Sequence, residues 1–543
     1  MQHRGDFDFI VVGAGSAGCV LANRLTANGR YRVLLLEAGG RDSNPWIHIP
    51  IGYGKLFRDG RVNWLYETEP QAHLNNRRIS QPRGKVLGGS SSINGLVYIR
   101  GQQQDFDSWR DAGNRGWGWE DVLPYFIKAE DQARGADAWH GTGGPLAVSD
   151  QSEPHPLCDA FIAAAGQYGL PANPDFNGAS QEGAGYYQTT TRRAVRCSSA
   201  KAYLKPARRR PNLVVITGAM VTRVLFEGTR ATGVEWEGEE GPCRATAHRE
   251  IILSGGAINT PQLLQLSGIG PAPLLHGHGI PLVHELPGVG EGLQDHLQVR
   301  LVNRCTSPIT LNDDMRSLWR QARLGLRYAL LRKGGLTVSA GYAGAFFRTA
   351  AELQRPDIQV HFITFSTNRM GDSLHPYSAF TASVCQLRPE SRGQVRIISA
   401  DPAVAPSIDP NYLASELDRR ANVEGLKVLR EILRAPAMQS FVDGEVEPGA
   451  DCVSDEALLE YCRQQGASIY HPTCTARMGS DPMAVVDERL RVRGISGLRV
   501  ADGSIMPSLV SGNTNAAIIM IGEKAAELVL EDCRADRLGV AAG

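Results

Sequence analysis

The first strongly apolar run is Phe7-Asp8-Phe9-Ile10-Val11-Val12, and it stops at Gly13. A short run of that kind, closed by glycine, reads as a buried strand. From Ser16 to Ala27 the apolar positions Ala17, Val20, Leu21 and Leu25 recur at the spacing of one helix face. A second apolar run, Arg32 to Glu37, ends in an acid. Strand, glycine turn, helix and strand, in that order, form the first βαβ unit of a doubly wound α/β fold. Residues 41–82 then lose periodicity and are rich in Pro, Gly, Asn and aromatics. An irregular segment of that length is expected to act as a lid or a cover over a ligand. Alternation returns between about 300 and 460, as in Ile358-Gln359-Val360-His361-Phe362-Ile363, beside a helix expected over Leu417–Leu433. That region reads as a mixed sheet with helices. A last helix is expected over about Ala516–Glu531, just after Gly512-Asn513-Thr514-Asn515, where an Asn side chain can cap it.

Length and charge narrow this picture. A chain of 543 residues is too long for one simple core, so two or three domains, or two interleaved ones, are expected. The 57 basic and 57 acidic residues balance, leaving no global field to draw the chain to nucleic acid. The locally basic stretch Arg192–Arg210 reads as solvated surface in preference to an anionic-membrane patch. The ten cysteines form no CxxC and show neither metal-site nor disulfide spacing, which fits a reducing compartment without a metal centre. There is no secretory leader pattern and no run of about 18 apolar residues. The expectation is a cytoplasmic protein, at most peripheral to the inner membrane.

The loop Gly13-Ala14-Gly15-Ser16-Ala17-Gly18 carries the first chemistry. Gly13 permits the tight turn off the strand, Gly15 lets the backbone approach a pyrophosphate, and Gly18 lets the helix pack on the strand. Ser16 and Ala17 open that helix, whose N-terminus offers free N–H groups to phosphates. Glu37 follows Gly18 by about twenty residues, the place for a carboxylate that binds ribose hydroxyls and repels a 2′-phosphate. These residues specify a dinucleotide site and leave FAD and NAD undistinguished.

Two longer segments separate them. Arg83-Gly84-Lys85-Val86-Leu87-Gly88-Gly89-Ser90-Ser91-Ser92-Ile93-Asn94-Gly95 resembles the first signature of the glucose–methanol–choline (GMC) oxidoreductases. Gly255-Gly256-Ala257-Ile258-Asn259-Thr260-Pro261-Gln262-Leu263-Leu264, followed by Ser267-Gly268-Ile269-Gly270, resembles the second, and the resemblance runs from Phe7 to about Leu530. It implies FAD, and a Rossmann-like FAD-binding domain interleaved with the mixed-sheet substrate-binding domain. The first would comprise residues 1–155, 196–300 and 465–543, with 41–82 lid-like, and the second 156–195 and 301–464. The resemblance further implies FAD contacts from Val86, Gly88, Gly89, Ser91, Asn94, Gly95 and Val97. It implies others from Ala38 beside Glu37, from Val221 at the adenine, and from Gly255, Tyr470, Asp502, Gly503 and Thr514. Some relatives attach FAD covalently through a histidine just before the Asn of the first signature. Ile93 holds that place here and cannot form the bond, so FAD is expected to be non-covalent.

Alcohol oxidation by hydride transfer needs a base for the hydroxyl proton, and histidine is the usual one near neutral pH. Ser468-Ile469-Tyr470-His471-Pro472-Thr473-Cys474 is similar to the family's active-site histidine motif, with His471 as the match. Asn513 matches the second, substrate-orienting position, with Asn515 as the less favoured candidate; an amide cannot act as a base but can fix an oxygen. In relatives the helix that follows aims its N-terminus at the flavin, where its partial charge stabilises the reduced anion.

Substrate signals are weaker. Trp46, Ile47, Ile49, Tyr53, Phe57, Trp64, Phe362 and Phe365 read as core packing for the most part, with a pocket as the alternative. Asn44–Pro50 and Val97–Gly101 look most like bacterial acceptor-dependent alcohol dehydrogenases and choline dehydrogenases. That favours a primary alcohol, aliphatic or aromatic, and a quinone-type acceptor over dioxygen. The alternatives are an alcohol oxidase of the same family, a non-redox member such as a hydroxynitrile lyase or photodecarboxylase, and a nucleotide-binding structural protein.

Overall fold

The run at Phe7–Val12 lies at the heart of a sheet in the computed structural model, which describes residues 1–238 and 241–538. Its neighbours run Leu213–Thr217, Val33–Glu37, Gln2–Val12, Gly241–Leu253, Arg230–Gly238 and Met220–Glu227. The first four pair in parallel, and Leu498–Val500 joins Gly241–Leu253 in parallel at its C-terminal end. The other two form an antiparallel ribbon. Phe9, Ile10 and Val11 are wholly buried, as the continuous apolar run requires of a parallel strand covered on both faces. This strand begins at Gln2, five residues before its apolar run. Its polar start pairs with Cys243–Thr246 yet stays largely exposed, so hydrophobicity gives no sign of it. The predicted helix forms over Ser16–Thr26 and packs against the C-terminal helix Asn515–Leu538.

A second sheet runs Val442–Glu447, Leu297–Cys305, Ala379–Gln386, Ile358–Ile363, Ala343–Phe347 and Gly183–Tyr186, with Ala467–Ser468 beside Leu297. Its pairings are antiparallel. Ile358–Ile363 has the bounds its alternation predicts, but neither face meets water. Ile358, Val360 and Phe362 face helices, with Phe362 stacked on Phe161 at 4.7 Å. Gln359 and His361 point the other way, Gln359 to the Asn513 side chain and His361 onto the cavity that holds His471. The helix expected over Leu417–Leu433 spans Glu416–Arg434 and packs on Ala379–Gln386. Buried side chains gather in two main clusters, one around each sheet.

Residues 41–82 carry only short turns of helix and two-residue strands. The basic stretch Arg192–Arg210 is exposed at Arg192, Arg193, Arg208 and Arg209, but Arg196 departs from the solvated-surface reading and is buried. Its guanidinium donates to the Asn94 side-chain oxygen (2.6 Å) and the Ile47 carbonyl (2.7 Å), bonds that offset its lost hydration. The ten cysteines are free thiols, nine of them buried.

Candidate active site

The glycine turn shows why its sequence is so restricted. Gly13 has φ +97°, and a Cβ there would lie 2.5 Å from the Ser254 carbonyl oxygen. A Cβ on Gly18 would lie 1.9 Å from the Gly13 carbonyl oxygen, so the helix start and the strand end touch backbone to backbone. Gly15 is different: the nearest protein atom to its Cβ would be the Ser254 oxygen at 3.8 Å. Its missing side chain leaves room on the cavity side, not inside the protein.

That cavity lies at the C-terminal ends of the parallel strands, the usual ligand position in such sheets. Gly13, Gly15, Ser16, Ala17, Glu37 and Ala38 line it, together with Gly89, Val221, Gly255, Asp502, Gly503 and Thr514. Three helices, Ser16–Thr26, Gly256–Leu266 and Asn515–Leu538, begin on its walls. Their free N–H groups and partial positive charge suit a pyrophosphate. Glu37 accepts from the N–H groups of Ala14 (2.9 Å) and Gly39 (2.8 Å), and burial outweighs these bonds and pushes its carboxyl up to about 7. Each oxygen keeps a second lone pair for a sugar hydroxyl. Asp502 is occupied by the protein itself, accepting from the Gly256 N–H, the Thr260 hydroxyl and both the N–H and hydroxyl of Ser504. It pins the second helix start to the Gly503 turn.

Gly18, Val86, Gly88 and Ser91 are not on the cavity walls. Gly88 donates its N–H to the Ala14 carbonyl (2.7 Å), Ser91 bonds the Gly88 carbonyl (2.5 Å), and Val86 packs against Ile47 and Ile93. These residues shape the loop that presents Gly89. Trp64, Arg83 and Ser90 do line the cavity and carry no glycine-type signal that would single them out.

A second cavity adjoins the first through Ser16, Arg83, Ser90 and Thr514. Asn94, Gly95, Val97, Tyr470, His471 and Asn513 all face it, as do Ile93, Phe57, Ala340 and His361. The fold thus brings His471, Asn513 and Ile93 into one space. Of the eight apolar residues weighed as pocket or core, Phe57 lines this cavity and Trp64 the first.

His471 is held by a buried carboxylate. Tyr470 adopts φ +71°, and the next N–H, that of His471, donates to Asp295 (2.7 Å). Asp295 also accepts from the hydroxyls of Tyr412 and Ser468 (both 2.5 Å), from Gln81 (3.0 Å) and from the His296 N–H (2.9 Å). Neither Asp295 nor His296 is flagged by a motif above. The available signal is the polar Gln294-Asp295-His296 set directly before a strand that proves buried.

The imidazole tautomers follow from the hydrogen bonds. His296 Nε2 lies 2.9 Å from the Leu387 carbonyl, which only accepts, so that nitrogen carries hydrogen. Burial lowers the pKa of His296, so it is neutral and its Nδ1 is an acceptor. His471 Nδ1, 3.0 Å away, therefore donates to it. That leaves the lone pair on His471 Nε2, 3.2 Å from the Asn513 amide nitrogen. Burial, then His296, His361 and Arg83, hold His471 well below an ordinary histidine pKa. Gln359 donates to the Asn513 side-chain oxygen (3.2 Å) and so aims the Asn513 NH₂ at His471. Asn513 is thus committed to His471 and Gln359, while the Thr514 carbonyl takes the first turn of the helix, accepting from Ile518 (3.0 Å). His361 completes a cluster of three imidazoles. Burial drops its pKa to about 3, and by geometry neither ring nitrogen has a hydrogen-bond partner, although Asn513 lies close enough to favour its charged form.

Family models described as GMC oxidoreductase match residues 7–298 and 389–522. The chain is 46% identical over 528 residues to an alcohol dehydrogenase (acceptor) of Pseudomonas putida, covering 96% of each. It is 43% identical over 529 residues to an oxygen-dependent choline dehydrogenase of Photobacterium profundum, covering 96% of this chain and 93% of the relative. Among solved structures, pyridoxine 4-oxidase from Mesorbium loti superposes with a TM-score of 0.87 at 32% identity, over 96% of this chain and 98% of that one. Formate oxidase from Aspergillus oryzae gives a TM-score of 0.92 at 27% identity, over 98% and 100%.

Proposed function

The chain belongs to the GMC oxidoreductase family and is an FAD-dependent oxidoreductase of CH–OH donors, and from that premise we propose that it oxidises a primary alcohol to the aldehyde, with His471 as base and Asn513 orienting the substrate oxygen. The observation that carries this reading is the unprotonated Nε2 of a neutral His471, whose partner is the Asn513 NH₂ at 3.2 Å, a contact that an alcohol oxygen can enter between the two, on a cavity that opens to the nucleotide cavity. The alcohol hydroxyl donates to Nε2 and accepts from the Asn513 NH₂. Proton transfer to Nε2 leaves an alkoxide whose C–H bond is weakened towards hydride loss. When bound in the first cavity, FAD supplies the hydride acceptor. The N-terminus of the helix Asn515–Leu538 favours negative charge where the two cavities meet.

The glycine turn, Glu37, Ala38 and Val221 are assigned to the adenosine and pyrophosphate half. Asn94, Gly95, Val97, Tyr470 and Thr514 are assigned to the isoalloxazine half. The two side-chain clusters support the division proposed from sequence, with 1–155, 196–300 and 465–543 holding the cofactor and 156–195 and 301–464 covering the substrate, except that the boundary at 300 cuts the strand Leu297–Cys305, which lies in the second sheet with Ala467–Ser468 beside it. Residues 239–240 and 539–543 of the first group lie outside the described residues. Among the described residues no helix is long and apolar enough to cross a membrane.

For the acceptor we favour a quinone over dioxygen. Anaerobic mixing with a panel of alcohols should bleach the flavin, and re-oxidation by a quinone should outpace that by air. No bleaching by any alcohol would return the non-redox alternatives. FAD is proposed to be non-covalent, because buried Ile93 fills the attachment position. Acid precipitation should leave the yellow flavin in the supernatant; flavin retained in the pellet defeats that assignment.

His361 is read as a second substrate-facing group, since it lines the same cavity and its buried ring nitrogens have no partner in the protein. His361→Phe should raise KM by roughly three- to tenfold, the value of one hydrogen bond between uncharged groups, with little change in kcat. An unchanged KM would remove His361 from the substrate's surroundings.

A further inference from the structure

The helix Leu318–Leu331 presents apolar side chains to solvent. Leu318 is 83% exposed, Trp319 70%, Leu326 61% and Leu330 72%. Leu318, Ala322, Leu326 and Leu330 are spaced four apart, so they form one ridge, and Trp319 stands beside it. The opposite face seats the helix: Leu324 and Tyr328 are buried, and the Tyr328 hydroxyl donates to the Ala194 carbonyl (3.1 Å). Scattered exposed leucines need no explanation, but a continuous ridge marks a docking surface.

The flanks say what docks. Arg320, Arg323 and Arg327 line one side of the ridge at helical spacing, and Arg332 and Lys333 follow its end. From Met315 to Lys333 the sequence holds cations and no acid, within a chain of zero net charge. Arg327 pairs with Glu153 (2.7 Å), while Arg320, Arg323 and Lys333 have no ion-pair partner among the described residues. Arg193, at the tip of the Thr191–Arg196 hairpin, lines a groove with Leu331, Arg332 and Lys333 and extends the basic rim. A second copy of the chain meeting this face would set these cations against one another, and the carboxylates beside them, Asp314 and Glu153, already face Arg320, Arg323 and Arg327 of the same copy. A bilayer of anionic lipids answers both features, taking the apolar ridge into its acyl boundary and the cations into its headgroups.

We propose that Leu318–Leu331 is an interfacial helix that docks the protein on an anionic lipid surface. The turn that follows it, Gly335–Thr337, packs on Pro50–Gly52, and Ala340 lines the catalytic cavity. The docked face therefore lies in the segment that builds one wall of that cavity, where an apolar substrate or acceptor dissolved in lipid has a short route in.

The test is co-sedimentation of the FAD-loaded enzyme with vesicles of phosphatidylcholine alone or mixed with phosphatidylglycerol. Binding is expected to the mixed vesicles and to weaken with salt. Each basic residue near such a surface is worth roughly a fivefold in partitioning, so Arg320→Glu with Arg323→Glu should weaken binding at least tenfold. Leu326→Glu with Leu330→Glu should do the same. Both variants alter exposed positions, so flavin content and alcohol-driven bleaching should match the parent. No binding to the mixed vesicles overturns the proposal, as does binding that ignores both variants. A dimer that the leucine variant converts to monomer, without vesicle binding, overturns it in favour of self-association. Vesicle binding needs no turnover, so its failure leaves the reading of the reaction untouched.

Discussion

His471→Ala should slow anaerobic flavin reduction by a saturating alcohol by about 10²–10⁴-fold, the usual contribution of a positioned general base, while FAD stays bound. The two effects separate because His471 lines only the second cavity, and the glycine turn, Glu37 and Val221 stand in the first. Near-normal flavin reduction in this variant would remove His471 as the base. The wild-type pH profile supplies an independent check. The proposed base must be neutral, and burial with two neighbouring imidazoles and the Arg83 guanidinium holds the His471 pKa well below 6.5. Flavin reduction at low substrate should therefore keep its plateau as pH falls through 6.5. An inflection at or above that value contradicts the imidazole cluster. The cluster has a stability cost of the same origin. His296, His361 and His471 all have lowered folded pKa values. Below about pH 6.5 the unfolded chain binds protons that the folded chain refuses, so stability falls as pH falls, by up to roughly 1.4 kcal/mol per pH unit for each. A melting temperature flat from pH 7 to 5 would show that these imidazoles take up protons when folded.

What the sequence reveals follows from how local each constraint is. The turn Gly13–Gly18 is legible because one of its constraints is local: strand end and helix start touch within six residues, where only glycine fits at Gly18. The helices at Ser16–Thr26 and Glu416–Arg434 are legible because each has one apolar face. His471 and Asn513 are found only because longer motifs surround them; spacing alone does not bring them together. His296, His361 and Asp295 are hidden for a different reason. Each sits in or just before an apolar strand, and polar residues alternating with apolar ones there resemble an ordinary half-exposed strand. In Ile358–Ile363 the polar positions meet the protein instead of water, His361 on the cavity that holds His471 and Gln359 on Asn513 and Tyr187. Arg196 is missed by the same rule in reverse, because a charge in a basic stretch is usually solvated, and this one is buried where it holds Asn94. The exposed ridge on Leu318–Leu331 has helical periodicity too, but periodicity cannot tell a face turned to the core from one turned outwards.

The glycines at 15 and 18 are expected to respond alike in flavin content, but differently in stability, to the same added methyl group. In Gly18→Ala the new Cβ stands 1.9 Å from the Gly13 carbonyl oxygen and 3.4 Å from the Ser254 Cβ. The oxygen belongs to backbone fixed by the sheet, since the Gly13 N–H is bonded to the Leu36 carbonyl (2.8 Å). The helix start must therefore retreat, a strain of about 1–3 kcal/mol, and it carries its free N–H groups away from the phosphates as it moves. Gly18→Ala should lower the melting temperature of the flavin-free protein and also lose most of its FAD. In Gly15→Ala the Cβ meets no protein atom closer than 3.8 Å. The flavin-free protein should melt within experimental error of the parent, yet FAD content should still drop sharply, because the methyl group occupies the space through which the pyrophosphate approaches the backbone. Absorbance at the flavin band relative to protein, and melting curves after flavin removal, give both quantities. A Gly15→Ala variant that purifies with full flavin would mean that the pyrophosphate does not cross Gly15, and the cofactor would have to be placed elsewhere along that cavity.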